Sequence, residues 1–134
     1  MTRGVIYNRD EKRRIIDFSG MRWGNITPTD IDAFVEFKGK CFIAIECKGI
    51  CVPVPFGQKL ALERLLRHIN IGGSKGIVIV CDVRPGGVDD DIDLANCESR
   101  EVWCLGVDGS VIVVPTSRRV KDVCDSFIDS CNIL

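Results

Sequence analysis

The stretch Asp32-Ala33-Phe34-Val35-Glu36-Phe37-Lys38-Gly39-Lys40-Cys41-Phe42-Ile43-Ala44-Ile45-Glu46-Cys47-Lys48 decides how this chain folds. It reads as two apolar strands, about Asp32 to Phe37 and Cys41 to Lys48, joined at Lys38-Gly39-Lys40. An acid opens the first strand, and an acid and a lysine close the second. Side chains alternate between the two faces of a strand, so Glu46 and Lys48 share a face and Cys47 takes the other. Two carboxylates and an ammonium are thus gathered at one end of a hairpin. Such a gathering is costly if stability is its only role, because desolvating the charges offsets most of their Coulomb attraction. A metal-dependent hydrolase site accounts for that cost.

Working outward, the hairpin is preceded by a polar connection from Met21 to Thr29 and by a helix expected over about Arg9 to Phe18. Asn8 is the N-cap of that helix, Glu11 follows three residues later, and Ser19-Gly20 ends it. Downstream, Gly49 to Pro55 holds two prolines and reads as a loop. Leu62, Leu65, Leu66 and Ile69 then fall at helical spacing within Phe56 to about Asn70. The uninterrupted run Gly76-Ile77-Val78-Ile79-Val80-Cys81-Asp82 is that of a strand buried on both faces, central and parallel to a neighbour.

Arg84 to about Arg100 reads as an exposed loop with one helical turn near Leu94 to Cys97. A second hairpin, Glu101 to Val107 and Ser110 to Val114, turns at Asp108-Gly109. The last helix, Ser117 to about Cys131, places Val120, Cys124, Phe127, Ile128 and Cys131 on one stripe. This order of elements implies a mixed sheet with helices on both faces.

Composition narrows the functional classes. The chain has 134 residues, 46% of them apolar, which suits one domain with one substantial core. Its 18 basic and 19 acidic residues leave a net charge of −1, so it does not coat nucleic acid through charge alone and any polyanion contact must be local. The basic start (Arg3, Arg9, Lys12, Arg13, Arg14) is the better phosphate-contact candidate, whereas Asp89, Asp90, Asp91 and Asp93 read as a solvated acidic face without the glycine and terminal glutamate of an EF-hand loop. The eight cysteines form no CxxC pair. Most fall in apolar strand or helix positions and read as reduced core thiols, with Cys47 and Cys51 as a weaker metal candidate. No run is long enough for a signal peptide or a membrane span, so a cytoplasmic protein is expected.

Asp32 at a strand start, Glu46-Cys47-Lys48 at the end of its partner and a following helix that begins Gly57-Gln58 together resemble the PD-(D/E)XK nuclease superfamily. The resemblance spans about Glu11 to Asp82, and in style it is closest to small resolvase-like and phage-encoded nucleases. A bare Glu-x-Lys is common by chance; the apolar strand before it, the acid on the partner strand and the helix glutamine give it weight. The resemblance implies an α/β, restriction-endonuclease-like core, a mixed β-sheet flanked by helices, as a single domain over residues 1–134.

It also implies an endonuclease that hydrolyses DNA phosphodiesters with Mg²⁺ or Mn²⁺. Carboxylate oxygens are the ligands that such hard cations prefer, and a bound cation polarises a phosphoryl oxygen and activates water. By the same resemblance Asp32 and Glu46 hold the cation, with the backbone carbonyl of Cys47 completing its shell. Lys48 orients the attacking water and balances transition-state charge, and Gln58 holds the site or contacts substrate. Asp30 lies on the same strand face as Asp32, and Pro28 precedes both at a spacing unlike the family's, so the choice between the two aspartates stays open. Glu11 is either a further metal ligand or the partner of Asn8 in a capping box. Arg9, Arg13, Arg14 and Lys59 are candidate nucleic-acid contacts, Lys59 with Arg64 and Arg67 on one helix; Trp23 and Trp103 are either stacking or core residues. Cutting both strands of a duplex or a junction requires two sites, which implies a homodimer. Two rivals are an inactive nucleic-acid-binding or assembly module on the same fold, and a structural protein in which Glu46 and Lys48 form a minor ion pair.

Overall fold

The computed structural model describes residues 17, 19–87 and 90–131. The helix expected near the start, with Glu11, Arg9, Arg13 and Arg14, lies outside the described residues except at Asp17, which is not helical. The chain order is β1 (Ala33–Phe37), β2 (Cys41–Gly49), α1 (Phe56–Ile71), β3 (Lys75–Val83), a single 3₁₀ turn (Leu94–Asn96), β4 (Glu98–Leu105), β5 (Val111–Pro115) and α2 (Val120–Ser130). The strands form one mixed sheet in sequential order, β1-β2-β3-β4-β5. Only β2 and β3 run parallel, which the intervening α1 makes possible; the other neighbours are antiparallel.

The β1–β2 hairpin closes on Lys38 and Gly39, whose φ angles of 51° and 69° give the primed turn that matches strand twist. Lys40 N–H donates to the Phe37 carbonyl at 2.8 Å, and the Glu36 carboxylate accepts from Gly39 N–H. An added Cβ at Gly39 meets no atom within 4 Å, so a substitution there is penalised by backbone conformation alone. Gly39→Val is therefore expected to cost about 1–2 kcal/mol, read as a lower denaturation midpoint with an unchanged slope.

Alternation along β2 and β3 divides the core into two layers. Ile43, Ile45, Ile77, Ile79 and Cys81 face α2 and pack on Val120 and Val123. Ala44, Val78, Val80 and Trp103 face α1 and pack on Leu62 and Leu66. β3 is the central strand and is parallel to β2, as its continuous apolar run implies. Trp103 is 1% exposed and belongs to this core, which removes it as a base-stacking residue.

Two boundaries differ from the sequence reading by three residues. β4 begins at Glu98 rather than Glu101, because a bulge lets the ladder continue: Val80 pairs with Glu101 while Cys81 pairs with Ser99, leaving Arg100 as the extra residue. The bulge breaks the alternation on which a strand is recognised. α2 begins at Val120 rather than Ser117, with Arg119 extended before it and Val120 N–H donating to the Cys97 carbonyl at 2.9 Å. Among the described residues no helix is long and apolar enough to cross a membrane.

Candidate active site

The site is assembled at the open end of the first hairpin. The last β1–β2 pair is Ala33 with Ile45, and continuing that register by one step sets Asp32 opposite Glu46. Asp32 Oδ2 accepts a 2.7 Å hydrogen bond from Cys47 N–H, which ties the carboxylate to the edge of β2 just beyond the end of β1. The N–H and C=O of one strand residue point to the same edge, so the Cys47 carbonyl faces the same space, where β1 no longer pairs.

Glu46 lies on the face covered by α1 and is only 3% exposed, one of two buried polar or charged residues among those described. Its Oε1 is 3.5 Å from Lys48 Nζ. Its Oε2 is buried and accepts no hydrogen bond. Buried polar atoms normally have partners, and a buried carboxylate oxygen without one is costly. Burial, and after it the Asp32 charge, push the Glu46 carboxyl above its ordinary value, while the Gln58 amide and the Lys48 ammonium pull the other way.

Gln58 enters from the first turn of α1, where Phe56–Ile71 docks on the sheet through Leu62 and Leu66. Its Nε2 donates to the Asp30 carbonyl at 3.2 Å, which couples the segment leading into β1 to the helix start. Asp32, Glu46, Lys48 and Gln58 thus converge. Asp30 takes part through its backbone carbonyl, and Asp32 is the aspartate against Glu46. Lys59 is exposed one residue beyond Gln58. A groove of about 480 Å³ opens beside this cluster between α1 and the segment before β1, with Asn25, Thr27, Thr29, Asp30, Gln58 and Arg64 in its walls.

The Cys47 side chain points to the opposite face of the sheet. Its Sγ lies 3.4 Å from Sγ of Cys81, its register partner on β3, and that hydrogen bond lowers the Cys47 pKa while raising that of Cys81. Cys51 is exposed in the following loop with φ 64°. Cys47 offers the candidate site its backbone and not its sulfur, so the Cys47–Cys51 metal pair is dropped. All eight cysteines are free, and burial pushes Cys41 up to about 12, as befits an inert core thiol.

Arg100 is a positioning residue that the sequence reading missed. Its Nε and Nη2 donate to Asp82 Oδ1 at 2.9 and 2.6 Å, Nη1 donates to the Val52 carbonyl at 2.6 Å, and Nη2 also reaches the Gly49 carbonyl at 3.0 Å. These bonds pin the loop that begins right after Lys48. The only signal in the sequence is an arginine amid acids next to a strand, and its aim comes from the β4 bulge. Arg100→Met is expected to lower stability by roughly 1–2 kcal/mol and to speed proteolysis within Gly49–Pro55, as limited digestion followed by mass spectrometry reads.

A larger cleft of about 780 Å³ lies elsewhere, against Asp82, Arg84, Asp93, Cys97 and Arg119, and none of Asp32, Glu46, Lys48 or Gln58 lines it. Among the described residues no cluster of three or more His, Cys, Asp or Glu side chains forms a metal cage. Two carboxylates, one with an unpartnered buried oxygen, together with a strand-end carbonyl, are nevertheless a donor set of the kind that Mg²⁺ takes while retaining water and substrate oxygens.

Comparison of the chain with protein-family models, curated proteins and solved structures finds no match in any of the three.

Proposed function

We propose that the chain is a metal-dependent deoxyribonuclease on a restriction-endonuclease-like core, hydrolysing DNA phosphodiesters with Mg²⁺ or Mn²⁺, branched or junction DNA among its candidate substrates. The observation that carries the reading is the buried Glu46 carboxylate, with an oxygen that accepts no hydrogen bond, set between Asp32 and Lys48 at a strand end. A fold that gained nothing from that carboxylate would discard it, since an apolar side chain at the same position removes the desolvation penalty. The hairpin, the crossing helix and the parallel third strand support the same core.

In this reading Asp32 and Glu46 hold the cation, with the carbonyl of Cys47 as a third donor. The cation supplies Lewis acidity toward a phosphoryl oxygen and lowers the pKa of a bound water. Lys48 then orients the attacking water and offsets the negative charge that builds on the phosphoryl oxygens. Gln58 keeps the Asp30–Asp32 segment against α1, so the carboxylate of Asp32 stays in register with Glu46. Nucleic acid approaches along the groove that Arg64 lines, and a second copy supplies the other site where two strands are cut.

The test is cleavage of a panel of labelled DNAs (duplex, nicked, single-stranded and four-way junction) with Mn²⁺, wild type against Lys48→Ala. Metal-dependent cutting of at least one substrate that falls about 10²–10³-fold in the variant is expected. Cutting at an undiminished rate in the variant points to a contaminating nuclease. No cutting of any substrate, with DNA binding intact, supports the inactive binding module.

A further inference from the structure

Beneath the candidate site, on the opposite face of the sheet, lies a pair of thiols that catalysis does not use. Cys47 and Cys81 are register partners on the two parallel strands, with their sulfurs 3.4 Å apart. Adjacent strands run about 4.8 Å apart, inside the Cα window of about 4.4–6.8 Å that a disulfide spans. Cys81 is 0% exposed, whereas Cys47 is half-buried. Cys97 packs against the same core cluster. The residue carrying the more accessible thiol is the one whose N–H holds Asp32 and whose neighbours are Glu46 and Lys48.

We infer that Cys47 and Cys81 form a reversible disulfide under hydroperoxide oxidation, and that closing it disarms the site on the other face of the sheet. This regulatory part rests on the nuclease reading; the cross-link itself does not.

The chemistry is a two-electron oxidation. The Cys47 sulfur attacks one oxygen of hydrogen peroxide, the O–O bond breaks, and Cys47 sulfenic acid and water result. The Cys81 sulfur then attacks the Cys47 sulfur, the S–O bond breaks, and hydroxide leaves as water with the Cys81 proton. Two thiols are oxidised to one disulfide and one peroxide is reduced to two waters. The sulfurs must close from 3.4 Å to about 2.05 Å. Both residues sit in a hydrogen-bonded ladder, so this approach draws the strands together and turns the peptide at Cys47. The 2.7 Å bond to Asp32 and the adjacent carbonyl move with it. Strained disulfides of this kind are the readily reduced, regulatory ones.

The full-length chain is treated with hydrogen peroxide, digested without reductant and mapped by mass spectrometry, with fragmentation to separate Cys47 from Cys41 in the same segment. A Cys47–Cys81 cross-link two hydrogens lighter than the thiols is expected, reversed by a thiol reductant. Mn²⁺ binding and DNA cleavage should fall at least about ten-fold on oxidation and return on reduction. Cys81→Ala should keep both through the same treatment, and Cys97→Ala should still form the link. A map with Cys47 as sulfinic acid, or joined to another cysteine, overturns the inference, and so does a complete cross-link with Mn²⁺ binding unchanged. A reduced wild type that neither binds Mn²⁺ nor cuts DNA contradicts the nuclease reading instead, while the peptide map still decides the cross-link.

Discussion

Glu46→Gln is expected to stabilise the protein at neutral pH while removing its catalysis. The two effects have one cause. The folded chain holds the Glu46 carboxyl above its ordinary value of 4.5, chiefly by burial, so the native state retains a proton that the unfolded state has released. Where the native state binds more protons, stability falls as pH rises. The penalty is absent below about pH 4.5, grows as pH climbs from there through the raised pKa, and is fully present above it. Glutamine keeps the shape and carries no charge, so its melting temperature should exceed that of wild type at pH 7, with the two converging toward pH 4. The same substitution removes a charged ligand oxygen from the proposed cation site. A bound cation contributes several kcal/mol at the transition state, at 1.36 kcal/mol per decade of rate, so cleavage should drop by at least about 10³-fold. A variant that is more stable and inactive separates a functional carboxylate from a structural ion pair. In the structural reading the 3.5 Å contact with Lys48 contributes little, and there is no metal-dependent cleavage for the substitution to remove.

Lys48→Ala is the second large effect, and it should divide binding from rate. Lys48 is not a metal ligand in the proposed site; its ammonium stands beside Glu46 with the side chain 18% exposed. Removing it takes a positive charge away from the cation, so Mn²⁺ affinity at neutral pH should hold or increase. The turnover rate should fall by about 10²–10³-fold, the scale found when one preorganised group that stabilises transition-state charge is removed. Measuring kcat at saturating Mn²⁺ checks this directly. A rise in the Mn²⁺ requirement with an unchanged kcat would instead place Lys48 in cation binding.

Much of this architecture could be read from the chain because local and global signals agree. The hairpin ends are marked by charges and its turn by Lys38-Gly39-Lys40, where the positive φ angles fall. The continuous apolar run of β3 is that of a central strand and occupies the centre of the sheet. Where signals conflict, the reading fails. At β4 the bulge at Arg100 shifts the register, so the strand's first residues look like loop. Long-range partners leave no local trace either, and nothing near Arg100 in sequence announces the Gly49 and Val52 carbonyls.

The candidate site was legible as residue types and not as geometry. Alternation puts Asp30 and Asp32 on one face and does not say which of them meets Glu46; the hairpin register, continued by one step, sets Asp32 against it. The unpartnered Oε2 of Glu46 is likewise a property of packing, since it depends on how Leu62 and Leu66 seat α1 over the sheet.

The central claim is that Asp32 and Glu46 together hold a divalent cation. Mn²⁺ titration followed by electron paramagnetic resonance tests it on the wild type, Asp32→Ala and Glu46→Gln at pH 7. The account predicts a saturable site in the wild type, filled at or below millimolar Mn²⁺ and lost in both variants. No binding at millimolar metal, or binding that neither substitution alters, would contradict it.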